Sequence, residues 1–164
     1  MAFFTMSPDG VRLLRELEGC ANLPYRDVAG MLTLGIGHVL TQSELTSGKI
    51  DLPSFGQCQY GREPWPDAWI EDLLRKDLRM TCALLTQAVQ VLVTQTQTDA
   101  LLCWAFNVGG GAARHSTLLK VLNAGRYDDV PAQLRRWVFS GGRRIEGLKR
   151  RREREVALWE RREP

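Results

Sequence analysis

Apolar residues first recur at helical spacing after Ser7-Pro8-Asp9, where Val11, Leu14 and Leu17 mark one side of a segment reaching Glu18. Ser7 suits an N-cap, Pro8 the first turn and Gly19 the stop, so the pattern predicts an amphipathic helix. The texture then changes. Between Leu23 and Thr41, the β-formers Tyr25, Val28, Thr33, Leu34, Ile36 and Val39 are punctuated by Asp27, Gly30, Gly35 and Gly37. That alternation predicts a short β-hairpin turning near residues 27–30. Residues 43–66 are polar and rich in Pro and Gly, and are expected to be irregular structure between two lobes.

Beyond Pro66 the periodicity is helical almost to the end. Asp67 is expected to cap a long helix with Ile70, Leu73, Leu74, Leu78, Leu84, Leu85 and Leu92 inward, breaking near Val93. Thr98 or Asp99 is expected to cap the next, which is apolar nearly all round from Ala100 to Val108 and so predicted to be buried. Ser116-Thr117 opens a short helix, another is expected from about Asp128 to Val138, and a last one follows Gly141-Gly142. The layout predicts an α+β fold in a single domain over 1–164. Its lobes, about 1–66 and 67–164, are a small N-terminal one with a β-hairpin and a larger, all-helical C-terminal one.

Composition narrows the class. With 164 residues, 44% hydrophobic and a net charge of +3, the chain buries enough surface for a core and is not intrinsically disordered. No run approaches the roughly 18 apolar residues of a membrane span. Met1–Met6 is apolar but short and has no basic start, so it is not read as a signal peptide. The four cysteines form no Cys-x-x-Cys pair and lie far in sequence from both histidines; free thiols are expected, and no zinc site. The positive charge is concentrated at the end: residues 143–164 hold nine basic and five acidic side chains. Ile145, Leu148, Val156 and Trp159 predict a docking helix with Arg/Glu pairs on its solvated side. Arg150, Arg151, Arg152 and Arg154 are expected to offer an additional contact for an anionic polymer.

The chemistry-bearing stretch is Glu18 to His38. A carboxylate ends an amphipathic helix, a second stands nine residues on at a hairpin turn, and the Thr33 hydroxyl follows in the next strand. Two carboxyl groups converging from different elements suit glycoside hydrolysis, in which one must stay protonated and the other ionised. Glu18, at the edge of the apolar helix face, is the candidate for the neutral acid. Asp27, beside Arg26 and glycines, is the candidate for the ionised group, and Thr33 can hold a water against it.

The stretch resembles the phage-type lysozymes of glycoside hydrolase family 24. The resemblance is carried by Glu18-Gly19, Tyr25-x-Asp27, Gly30 and Thr33-Leu-Gly-Ile-Gly-His38. It continues in Ala105-Phe-Asn-Val-Gly109, Ser116-Thr-Leu-Leu119, Arg136-Trp137, Gly141-Gly142 and Arg151-Arg-Glu153. It implies a lysozyme-like fold with a cleft between the lobes and an endolysin that cleaves peptidoglycan between N-acetylmuramic acid and N-acetylglucosamine. Glu18 would be the general acid, Asp27 and Thr33 would position water, and Phe106, Asn107 and Thr117 would be saccharide contacts. His38 would hold structure. No metal or cofactor is implied. The chain would be a monomer that waits in the host cytoplasm for a holin-type lesion to release it into the periplasm. A lytic transglycosylase and a non-catalytic glycan-binding module are the alternatives.

Overall fold

A computed structural model describes residues 4–27 and 30–161. The chain forms two compact units, Arg15–Arg79 on one side and Met1–Leu14 with Met80–Pro164 on the other. The divisions fall inside two helices rather than in the 43–66 segment.

The Arg15–Arg79 unit begins with the end of helix α1 (Pro8–Glu18). A three-stranded antiparallel sheet follows: β1 (Ala21–Arg26), β2 (Leu32–Gly35) and β3 (His38–Val39), in that order. The expected hairpin is therefore present, with the turn between β1 and β2. The segment expected to be irregular is instead largely ordered. It contains α2 (Gln42–Ser47) and a hairpin of β4 (Lys49–Leu52) and β5 (Gly56–Gln59). Its local signals were a Thr41/Glu44 capping box and alternating burial of Ile50 and Leu52. Asp72, buried on helix α3 (Asp67–Ala88), accepts from Ser54 N and Oγ at 2.7 and 2.8 Å and fixes the hairpin tip. Leu34, Ile36, Leu40, Ile50, Leu52, Trp65, Ile70, Leu73 and Leu74 are buried in this unit. Trp65 meets Trp69 edge to face at 5.3 Å.

The other unit is helical and centred on α4 (Gln95–Val108), whose residues 98–105 are all buried, as its apolar pattern requires. Its cap differs from expectation. Thr94, not Thr98 or Asp99, closes a capping box with Gln97. Asp99 points instead at the start of α1, where Ser7 N and Oγ both donate to its carboxylate. A Cβ on Gly10 would meet Asp99 Cγ at 2.6 Å, so glycine is required there for close packing. Short helices α5 (Gly110–Arg114) and α6 (Thr117–Asn123) follow, the latter capped by Ser116 as expected. The expected 128–138 helix is a single 3-10 turn and the five residues of α7 (Val130–Leu134). A second departure is the hairpin of β6 (Phe139–Ser140) and β7 (Arg143–Arg144) before α8 (Glu146–Trp159). Gly141-Gly142 makes its turn rather than a helix boundary. Leu92, expected inward, lies beyond the end of α3 and is exposed. The aromatic pair of this unit is Trp104 against Trp137, edge to face at 5.5 Å.

Candidate active site

Glu18 is the last residue of α1 and is half-buried. Gly19 takes φ 76°, the left-handed conformation that ends the helix, and the chain enters β1 two residues later. Asp27 follows the last residue of β1. Its backbone N donates to Met31 O at 2.9 Å, and its Oδ1 accepts from Met31 N at 2.8 Å. The carboxylate is therefore held by the opposite arm of the hairpin. Thr33, on β2, pairs with Tyr25 and is 2% exposed. Its hydroxyl donates to Met31 O at 3.2 Å. The hairpin thus brings Asp27 and Thr33 onto the two polar groups of one residue, Met31. All three predicted catalytic residues belong to the Arg15–Arg79 unit.

His38, the other chemistry-capable residue of the stretch, is occupied elsewhere. Nδ1 lies 3.0 and 2.9 Å from the Asp77 carboxylate oxygens, and Nε2 lies 3.1 Å from Glu44 Oε2. A neutral imidazole has one N–H and can satisfy only one of these contacts; the imidazolium satisfies both. Burial alone would lower its pKa, but the contacts with Asp77 and then Glu44 outweigh this, and the net shift is upward. Burial likewise opposes ionisation of Glu44. Bonds from Thr41 N and Oγ1, both at 2.8 Å, and the charge on His38 overcome it and lower that pKa. His38 holds structure, as expected.

The predicted saccharide residues lie on the helical unit. Phe106 is half-buried and Asn107 exposed near the end of α4, and Thr117 is exposed at the first position of α6. Asn107 Oδ1 accepts from Arg152 Nη2 at 2.6 Å, which orients the amide. Sequence reasoning missed this partner. Arg151 and Arg152 were expected on the solvated side of the last helix, but they are 6% and 0% exposed. Arg151 Nε meets Glu155 Oε1 at 3.0 Å, Arg152 Nε meets Glu155 Oε2 at 3.1 Å, and Arg151 Nη2 donates to Cys103 O at 3.0 Å. The i,i+3 and i,i+4 spacing of both arginines to Glu155 was the available signal. Two of the four arginines assigned to an anionic polymer are thus unavailable to one. Among the described residues no group of three or more His, Cys, Asp or Glu could hold a metal ion, and all four cysteines are free thiols.

The family model described as Phage lysozyme matches residues 15–155. The chain belongs to the phage lysozyme family. Within it, the SAR-endolysin of Escherichia phage Mu is 38% identical over 146 residues, 89% of this chain and 75% of that one. Among solved structures, a P22 lysozyme mutant superposes with TM-score 0.77 at 29% identity, covering 94% of this chain and 97% of the other. The muramidase domain of SpmX from Asticaccaulis excentricus gives TM-score 0.77 at 25% identity, covering 96% and 99%. The fold is the α+β lysozyme fold, and the chain is a lysozyme-type glycosidase that degrades peptidoglycan. Among the described residues, no helix of this lysozyme is long and apolar enough to cross a membrane.

Proposed function

We propose that the chain is an endolysin muramidase that hydrolyses the β-1,4 bond between N-acetylmuramic acid and N-acetylglucosamine by single displacement with inversion. Glu18 donates a proton to the leaving oxygen. Asp27 and Thr33 position the attacking water, and Phe106, Asn107 and Thr117 contact the saccharide. The observation that carries the proposal is the double use of Met31. The Thr33 hydroxyl already gives its proton to Met31 O, so toward a water it can only accept. The Asp27 carboxylate, steadied by Met31 N, also accepts. A water donating one proton to each turns its lone pair outward, toward an anomeric carbon. As the bond forms, Asp27 takes the water proton, and the Glu18 proton leaves with the departing sugar. No covalent glycosyl-enzyme is needed.

The test is clearing of permeabilised Gram-negative cells, with mass spectrometry of the products. Glu18→Gln and Asp27→Asn each lower clearing by a factor of at least about 100 without unfolding the protein. Hydrolytic products with the α-anomer formed first support inversion. A 1,6-anhydro end assigns a transglycosylase instead, and wild-type protein that binds walls without clearing them assigns a binding module. Holin-dependent release from the host cytoplasm belongs to the same proposal. Lysis on co-expression with a holin, and none without it, is the expected outcome.

A further inference from the structure

The turn that carries Asp27 has an anchor that the proposed chemistry does not use. Arg26, the last residue of β1, is exposed, and its Nη1 donates to Gly30 O at 2.8 Å. The Gly30 carbonyl and the Met31 N–H are the two ends of one planar peptide unit. That N–H is the group that donates to Asp27 Oδ1 at 2.8 Å. A single rigid plane is therefore held at both ends, by a guanidinium on its oxygen and by the Asp27 carboxylate on its nitrogen.

This plane needs holding. Gly30 takes φ 80°, and a Cβ built on it would meet nothing within 4 Å. A residue without a Cβ puts little steric restraint on the peptide that follows it. Turned over, the plane would aim the Gly30 oxygen at the Asp27 carboxylate in place of the Met31 N–H. Hydrogen bonds must therefore fix its orientation. Asp27 draws the N–H inward, and Arg26 enforces the same choice from the other end. The two bonds also support each other: a cation on the carbonyl polarises the amide, and hydrogen bonds in series strengthen one another. Each has an ionised partner, which makes it stronger than a bond between neutral groups.

We propose that Arg26 is a positioning residue for hydrolysis, acting through the Gly30–Met31 peptide to hold the Asp27 carboxylate where it receives the water proton. The assignment rests on the muramidase function proposed above. The place of Arg26 in the sequence, next to Asp27, suggests only a nearby charge. Its bond to Gly30 O supplies a mechanical route.

The experiment measures kcat and KM on sacculi, together with the Met31 amide proton by NMR. Arg26→Met keeps a long side chain and removes the donor. It lowers kcat about fivefold, leaves KM within about twofold, and moves the Met31 proton upfield as its bond to the carboxylate loosens. The Gly30 proton, which is bonded to Asp27 O and lies outside this plane, moves less. Arg26→Lys restores a cationic donor and recovers most of both effects. An unmoved Met31 proton in Arg26→Met overturns the proposal. So does a Lys variant no better than the Met variant, and so does a rise in KM with kcat unchanged, which places Arg26 on the substrate. A shifted Met31 proton with kcat unchanged supports the lock and removes Asp27 from the reaction. Wild-type protein that does not cleave sacculi removes the muramidase function itself, and the NMR shifts then still decide whether Arg26 holds the plane.

Discussion

Each unit buries one charged network, and the two differ in what keeps them charged. In the helical unit, Glu155 sits between Arg151 and Arg152, with all three side chains nearly or fully withdrawn from solvent. Guanidinium does not lose its proton in the accessible range, so the cations of that network persist as pH rises. In the Arg15–Arg79 unit, His38 bridges Asp77 and Glu44, and its charge depends on a proton that solvent can remove. Similar placement therefore gives one clasp whose cations ignore alkali and one whose cation does not. The choice of cation, more than the degree of burial, decides which.

The largest expected effect tests the permanent clasp. Glu155→Gln leaves two buried guanidinium groups without their carboxylate and should cost about 3–5 kcal/mol, measured by urea unfolding. A loss near zero would mean that water or another acceptor compensates. The conditional clasp is smaller. His38→Asn should cost about 2 kcal/mol at pH 6, from the lost charged hydrogen bonds.

The pH dependence has a defined sign. The His38 pKa is raised on folding, so its contribution is complete below about 6.5 and is lost as pH rises through the folded value. The Glu44 pKa is lowered, so its contribution is present above the ordinary carboxylate value and is lost as pH falls through the folded value. Thermal unfolding of wild type should show a decline on the alkaline side that His38→Asn flattens. Glu44→Gln should flatten the acid side instead. Identical pH profiles for wild type and His38→Asn would break the comparison. The smallest effect sets the reference for exposure: Arg135 and Glu153 form a two-pronged pair on the surface, and Arg135→Gln should cost no more than about 1 kcal/mol, reduced by salt.

Legibility in the sequence followed the type of force involved. Elements set by local rules were readable: the Ser7 and Ser116 caps, the all-apolar α4 and the hairpin after Leu23. Elements set by a distant partner were not. Asp99 looked like a helix cap and instead serves Ser7, 92 positions away. The β4–β5 hairpin hides in a polar stretch because its tip is fixed by Asp72 from another element. The candidate site divides in the same way. Glu18, Asp27 and Thr33 were nominated by spacing and resemblance, whereas Met31, which organises two of them, contributes only backbone atoms and leaves no side-chain signature. Arg152 was hidden because a run of arginines suggests water rather than core.

The edge-on tryptophan pairs give the contrast a spectroscopic handle. Of the five tryptophans, Trp65 and Trp69 belong to the unit with the histidine clasp, and Trp104, Trp137 and Trp159 to the other. Replacing Trp65 and Trp69 by Phe leaves tryptophan emission reporting only the arginine side, and the converse replacement leaves it reporting the histidine side. Alkaline titration of the two stripped variants would then show, optically, which half loosens first.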